Sequence, residues 1–348
     1  MNDLVDRLLD ALAAHGIREF LAELDERDVL IADPALVAGL RELLGEAGGC
    51  AVVPAGDALA EPGLVDAAAR QIVWSGEREP ELVAALDRLC PGSPTLGLIT
   101  EVLPRRASGR PVDALPRAAR RGYAILAPPR TGSYFLCGLL QELGFGRPDE
   151  HLDHGLCRAA RLGAVDLRLH LDRVAGIATA GGWFGTKLIS SVLFEAFESG
   201  FPPNHFVDWL QEHRLPVIHL NRRDKAAQAV SFFVARQTGV WTLVGETRRP
   251  EPPPYDFDAI HADYRDLCQQ DRWIEDLLRL LPVPIHRLLY EDLEARTEDE
   301  LARVVGFLTG RELPAAAIGV RARTRKQRGA RTLDYVERFR SDLAGCGG

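Results

Sequence analysis

The chain has 348 residues, 46% of them apolar and 26% charged, with 42 basic against 50 acidic residues and a formal net charge of −8. That length accommodates two domains with a sizeable core each, and the acidic balance excludes wholesale nucleic-acid binding, so any anion site has to be built locally. The six cysteines (Cys50, Cys90, Cys137, Cys157, Cys268, Cys346) are dispersed, with no spacing that suggests a metal site or a redox motif. A reducing cytoplasm suits them. The N-terminal stretch Met-Asn-Asp-Leu-Val-Asp-Arg lacks a basic segment followed by a long apolar core, and no later run approaches about eighteen uninterrupted apolar residues, so neither secretion nor membrane spanning is expected.

The first hundred residues read as a small α/β unit. Leu4, Val5, Leu8, Leu9 and Leu12 line one helix face, and Leu36, Val37, Leu40, Leu43 and Leu44 line another. Apolar runs at Cys50 to Val53, Gln71 to Trp74 and Leu96 to Thr100 alternate with Ala/Leu/Glu-rich helical stretches, which predicts a parallel sheet of three or more strands. No glycine fingerprint, metal-ligand spacing or nucleophile context marks this region, and a structural or partner-binding accessory role is expected. Pro104, Pro111 and Pro116 with five arginines then mark residues 104–120 as a linker, dividing the chain into 1–103 and 121–348.

Beyond it, the apolar run Tyr123 to Ala127 stops at Pro128-Pro129, and Phe135, Leu136, Leu139 and Leu140 recur at helical spacing. This predicts strand, tight loop, helix, with Ser133 or Thr131 as helix cap. The first-turn N–H groups with Gly132 form a cradle for an anion, and Arg130 adds a charge to it. A nucleoside-triphosphate loop would need a glycine where Ala127 stands and a lysine before Ser133; both are missing, which argues against ATP hydrolysis. Gly146-Arg147-Pro148-Asp149-Glu150-His151 is a loop that sets Glu150 a short distance after that helix. His151 and His154 have no further ligand at metal-binding spacing.

Trp183 to Ile189 reads as a buried strand carrying Lys187, which has to reach solvent or face an anion. Pro216 to Leu220 is a strand and Ala226 to Ala235 a helix; Arg223 at the strand end and Ser231 eight residues later are placed to converge on one phosphate. Trp241 follows, where it can stack on a sugar ring or serve the core. Tyr255 to Leu280 is helical, Ile285 to Tyr290 a strand, and Glu291-Asp292 a cap for the next helix. Arg321, Arg323, Arg325, Lys326, Arg328 and Arg331 form a basic run without an acid, either a solvated tail or a cover for a polyanion.

An early Pro-Arg-Thr-Gly-Ser loop and a later Arg with Ser eight residues on resemble the two phosphate sites of sulfotransferases that use 3′-phosphoadenosine 5′-phosphosulfate (PAPS). The stretches Ala127 to Ser133, Gly146 to Glu150, Phe184 to Leu188, Arg222 to Ser231, Thr238 to Trp241 and Tyr290 to Leu293 are similar, in that order, to signatures of the trehalose 2-sulfotransferase family. Thr131 and Tyr134 replace the family's usual Ser and Thr, and His151-Leu152 stands where the family tends to have an aromatic pair. The resemblance covers about residues 120 to 345.

It implies an α/β fold with a central parallel sheet flanked by helices and a P-loop-like first unit, preceded here by the accessory domain. It also implies PAPS as sulfuryl donor with adenosine 3′,5′-bisphosphate as product, a carbohydrate or glycolipid hydroxyl as acceptor, no metal, and a homodimer in the cytoplasm. Arg130, Thr131, Gly132 and Ser133 are then expected on the 5′-phosphosulfate and Arg223 with Ser231 on the 3′-phosphate. Glu150 is expected as base, Arg130 and Lys187 as charge stabilisers, Lys326 and Arg328 on the nucleotide, and Trp241 and His151 on the acceptor. A kinase with a degenerate phosphate loop and a nucleotide-binding regulatory module are the alternatives.

Overall fold

In the computed structural model the described residues are 3–45, 50–75, 78–90, 93, 95–98, 102–103, 121–177, 179–180, 182–241, 251–312, 314–319 and 330–345. The expected linker 104–120 and the basic stretch 321–329, with Lys326 and Arg328, lie outside them. Among the described residues there are nine strands interspersed with helices: α1 (Asp3–Ala11), α2 (Ile17–Ala22), β1 (Asp28–Ala32), α3 (Pro34–Gly45), β2 (Ala51–Pro54), α4 (Ala55–Ala60), β3 (Arg70–Trp74), α5 (Glu79–Leu89) and β4 (Thr95–Gly97). Then come β5 (Arg121–Ala127), α6 (Ser133–Glu142), α7 (His154–Arg161), α8 (Leu167–Ile177), β6 (Thr179–Ala180), β7 (Trp183–Ile189), α9 (Ser190–Phe197) and α10 (Pro203–Glu212). The last are β8 (Val217–Asn221), α11 (Lys225–Thr238), α12 (Phe257–Leu280), β9 (Ile285–Leu289), α13 (Tyr290–Ala295), α14 (Thr297–Thr309) and α15 (Ala330–Gly345).

Packing divides the chain into two compact units, one of residues 1–119, 151–179 and 194–209, the other of 120–150, 180–193 and 210–348. The first holds a parallel sheet of order β2-β1-β3-β4. Its central strand β1 is buried along its whole length. Asp28, buried at the start of β1, takes both Nε and Nη2 of Arg70 at 2.9 and 2.8 Å, a fork that matches the strand register Asp28↔Arg70. The later segments are tied in by His15 Nε2 to Asp153 Oδ2 (2.9 Å) and by Trp74 Nε1 donating to Ala164 O (3.3 Å).

In the second unit the sheet order is β6-β7-β5-β8-β9, with β7, β5, β8 and β9 mutually parallel. Residues Tyr123 to Ala127 of β5 are fully buried, as a continuous apolar run covered on both faces must be. Tyr123, Ile125 and Ala127 share one face and pack with Leu136, Leu139 and Leu140 of α6 and Leu301, Val304 and Val305 of α14. Burying each large apolar side chain contributes roughly 1.5–3 kcal/mol. From β5 the chain goes first to β7 on one side and later to β8 on the other. The carboxyl end of β5 is therefore the place where strand order reverses, and a crevice opens there in such sheets.

Candidate active site

The loop leaving β5 is tight and left-handed twice, at Arg130 (φ +65°) and Gly132 (φ +82°). A Cβ on Gly132 would stand 2.4 Å from Cδ2 of Tyr290, so glycine is required both by its backbone and by the ring lying over it. The expected cap is corrected here. Gly132 itself occupies the N-cap of α6 and brings no side chain, Ser133 is the first helical residue, and the buried Thr131 hydroxyl donates to Pro128 O at 3.0 Å. The first turn of α6 therefore receives no side-chain cap, and its N–H groups are not closed off by one.

The second loop, after β8, is fastened to the first by one face of α11. Gln228 and Ser231, three residues apart, both turn toward it: Gln228 Nε2 donates to Pro129 O at 2.7 Å, and Ser231 Oγ accepts from Arg130 Nε at 3.1 Å. Lys225 Nζ braces Gln228 Oε1 (2.9 Å) and Asn221 Oδ1 (2.7 Å) while pairing with Asp271 Oδ2 at 2.6 Å. The buried Arg222 donates to Arg130 O at 3.2 Å and lies 5.3 Å from the Tyr290 ring. Arg130 also donates to Trp241 O. Burial, followed by the nearby Arg222 charge, pulls the Arg130 guanidinium down to about 10, so it is a cation at pH 7 in surroundings that disfavour one. A bound polyanion relieves both effects.

Arg223 and Ser231 are both at this end of the sheet, but their partners differ from a shared contact. Arg223 is exposed, with Nη2 3.6 Å from Asp292 Oδ2, while Ser231 is engaged by Arg130. Glu291, expected as a cap, instead reaches back across the sheet end to accept the N–H groups of Arg223 and Asp224. The N-cap of α13 is Leu289, with no side-chain bond.

The third element is the segment 146–150. Gly146 (φ +84°) passes so near Trp183 that a Cβ would be 2.6 Å from its carbonyl oxygen. Asp149 then pairs with Thr186, its carbonyl accepting from Lys187 N–H at 2.8 Å, so the loop runs beside β7. This sets Glu150 next to Lys187, Oε1 to Nζ 2.8 Å. Lys187 is fully buried, and its Nζ lies 3.1 Å from the centroid of the Tyr134 ring in the first turn of α6. Burial alone pulls the ammonium down, but Cys137, Glu150 and Tyr134 more than offset it and hold it above the usual lysine range. Since burial also pushes the Cys137 thiol up to about 12, the thiol is neutral at pH 7 and the counter-charge is Glu150.

The acceptor candidates separate. The Trp241 indole is 43% exposed and 6.0 Å from the Phe232 ring, so it stands at the surface of the second unit. His151 belongs to the first unit and is buried, its carbonyl accepting from His170 Nε2 at 2.9 Å. A cleft of about 520 Å³ lined by Phe233, Gln237, Tyr255, Phe257, Arg338 and Asp342, among others, shares no lining residue with the phosphate loops. Among the described residues no group of three or more His, Cys, Asp or Glu is arranged to hold a metal ion. No described helix is long and apolar enough to cross a membrane.

Sequence reasoning gave no role to Arg222, Gln228 and Tyr290, and took Glu291 for a helix cap. Arg222 adjoins the chosen Arg223, and Gln228 precedes Ser231 by the helical spacing that would have found it.

Residues 212–342 match the family model described as Stf0 sulphotransferase. The match takes in β8, α11 and β9 through most of α15, with Arg223, Ser231 and Glu291; the β5 loop and Glu150 precede it. No curated protein matches the chain.

Proposed function

Starting from residues 212–342 as a Stf0 sulphotransferase domain of the trehalose 2-sulfotransferase family, we propose that the chain transfers a sulfuryl group from PAPS to a carbohydrate or glycolipid hydroxyl. The observation that carries this reading is the 3.1 Å bond from Arg130 Nε to Ser231 Oγ. It joins two anion-binding motifs 101 residues apart at the carboxyl ends of the adjacent strands β5 and β8.

In this reading the amides of Thr131, Gly132 and Ser133 with Arg130 hold the 5′-phosphosulfate, and Arg223 with Ser231 holds the 3′-phosphate. The acceptor oxygen attacks sulfur as the bond from sulfur to the bridging phosphate oxygen breaks, and the acceptor proton passes to Glu150. Charge gathers on the departing oxygen, where the helix-terminal N–H groups, Arg130 and Lys187 are fixed dipoles and cations that need no reorganisation. Trp241 is assigned to the acceptor side and Lys326 and Arg328 to the nucleotide. Residues 121–348 act as the transferase, with 1–103 as an accessory region. The thiols Cys50, Cys90, Cys137, Cys157 and Cys268 suit a reducing cytoplasm, and a homodimer is part of the same reading.

Calorimetry with adenosine 3′,5′-bisphosphate, ATP and NAD tests the nucleotide, with the bisphosphate expected to bind alone. Preference for ATP overturns the reading. Transfer of radiolabelled sulfate to disaccharides and glycolipids tests the acceptor, and transfer only to phenols or amines would contradict it.

A further inference from the structure

Three consecutive residues at the start of α13 touch both phosphate loops. The Tyr290 ring covers Gly132 of the β5 loop; Glu291 and Asp292 meet the β8 loop. The Glu291 contact is the most constrained. Oε2 accepts the N–H of Arg223 and Oε1 that of Asp224, each at 3.1 Å. Burial works against this carboxylate, but the backbone donors of Asp224 and Arg223, with Arg222 nearby, more than offset it and keep it ionised below the usual range.

Two consequences follow. The backbone N–H groups just ahead of α11, the ordinary place for a phosphate at a helix start, are filled by the protein's own carboxylate. A phosphate arriving there has to be held by side chains. The bidentate clasp also fixes the backbone of Arg223, and with it the point from which an exposed side chain, 3.6 Å from Asp292, leaves the loop.

We infer that Glu291 is a positioning residue for the nucleotide's 3′-phosphate, acting through Arg223. Asp292 is the counter-ion that Arg223 exchanges for that phosphate. The inference rests on the sulfotransferase reading above.

The test is calorimetric binding of adenosine 3′,5′-bisphosphate and adenosine 5′-monophosphate to wild type, Glu291→Gln and Glu291→Ala. Glu291→Ala is expected to lose about tenfold in bisphosphate affinity, the cost of an unclasped charged contact, and nothing in monophosphate affinity. Glu291→Gln, which keeps one acceptor, falls between. Steady-state assays should show the PAPS KM rising with kcat held. Equal losses for both nucleotides, as a merely structural role would give, overturn the inference, as does an unchanged bisphosphate affinity. If Glu291→Ala does not fold, the glutamine variant decides by the same two affinities. A wild-type protein that does not prefer the bisphosphate refutes the sulfotransferase reading, and the inference falls with it.

Discussion

As the proposed base, Glu150 would accept a proton beside a bound polyanion while it is already paired with the Lys187 ammonium. The 2.8 Å contact with Lys187 orients the carboxylate, and its remaining oxygen is the one left to meet an acceptor hydroxyl. Glu150→Gln keeps a carbonyl for Lys187 but removes the balancing charge along with the basic oxygen, so a thermal melt has to accompany its kinetics. Its kcat should fall by roughly 10²- to 10⁴-fold, the usual contribution of a positioned base, with bisphosphate affinity nearly intact. Saturating kinetics and calorimetry on one preparation check this; a variant with wild-type kcat sinks the assignment. Deleting Lys187 is a poorer probe, because a buried charge pair that loses one member typically loses about 3–5 kcal/mol of stability. Arg223→Ala should weaken bisphosphate binding by about 1.5–3 kcal/mol, tenfold or more, as loss of a charge-assisted contact does. Ser231→Ala should cost less, since it contributes a neutral hydroxyl. Titration calorimetry reads both, and wild-type affinity in the pair would displace the second phosphate site.

At the scale of the element, the β5 loop depends on one glycine in a way that a control can isolate. Gly132→Ala meets both a left-handed backbone and the Tyr290 ring at 2.4 Å, whereas Gly144→Ala, at φ +81°, meets nothing within 4 Å. Both should lose about 1–2 kcal/mol for the backbone strain. Only Gly132→Ala should also lose bisphosphate affinity, by tenfold or more, because the ring or the loop has to move. Thermal melts and calorimetry separate the two effects; equal affinities would show that this loop does not bind the nucleotide.

The strand β5 and its loop were legible because an apolar run ending in Pro128-Pro129, then a helical spacing, admits little else. In the first unit β1 was passed over although Val29 to Ala32 is an apolar run, since the acid at its head, Asp28, reads as a loop residue until Arg70 is seen beside it. Lys187 was read as reaching solvent or facing an anion; its partner comes from a loop 37 positions earlier that the Asp149 to Thr186 pairing brings alongside. Glu291 was read as a cap because local sequence rules offer a first-turn acid no other use. Its real partners are 67 and 68 positions away, and no periodicity encodes that distance.

Across the whole molecule, each compact unit buries a histidine. His170 in the first is held down to about 3 by burial, then by His15, against the His151 carbonyl; His219 in the second is held to about 4 by burial, against the pull of Glu275. Unfolded, both return to the ordinary value near 6.5. Between that value and the folded ones the unfolded chain binds a proton that the folded chain excludes, so stability falls as pH drops below about 6.5 and is fully present above it. Each should lose roughly 1 kcal/mol between pH 7.5 and 5.5, a window above the range where the carboxylates titrate. Urea unfolding followed by tryptophan fluorescence should therefore show a lower midpoint at pH 5.5 than at 7.5. The His170→Asn and His219→Asn variants should each flatten part of that dependence, with His286, also lowered by burial, contributing to the rest. A wild-type midpoint that does not move over this window would mean that neither imidazole is held neutral by the fold.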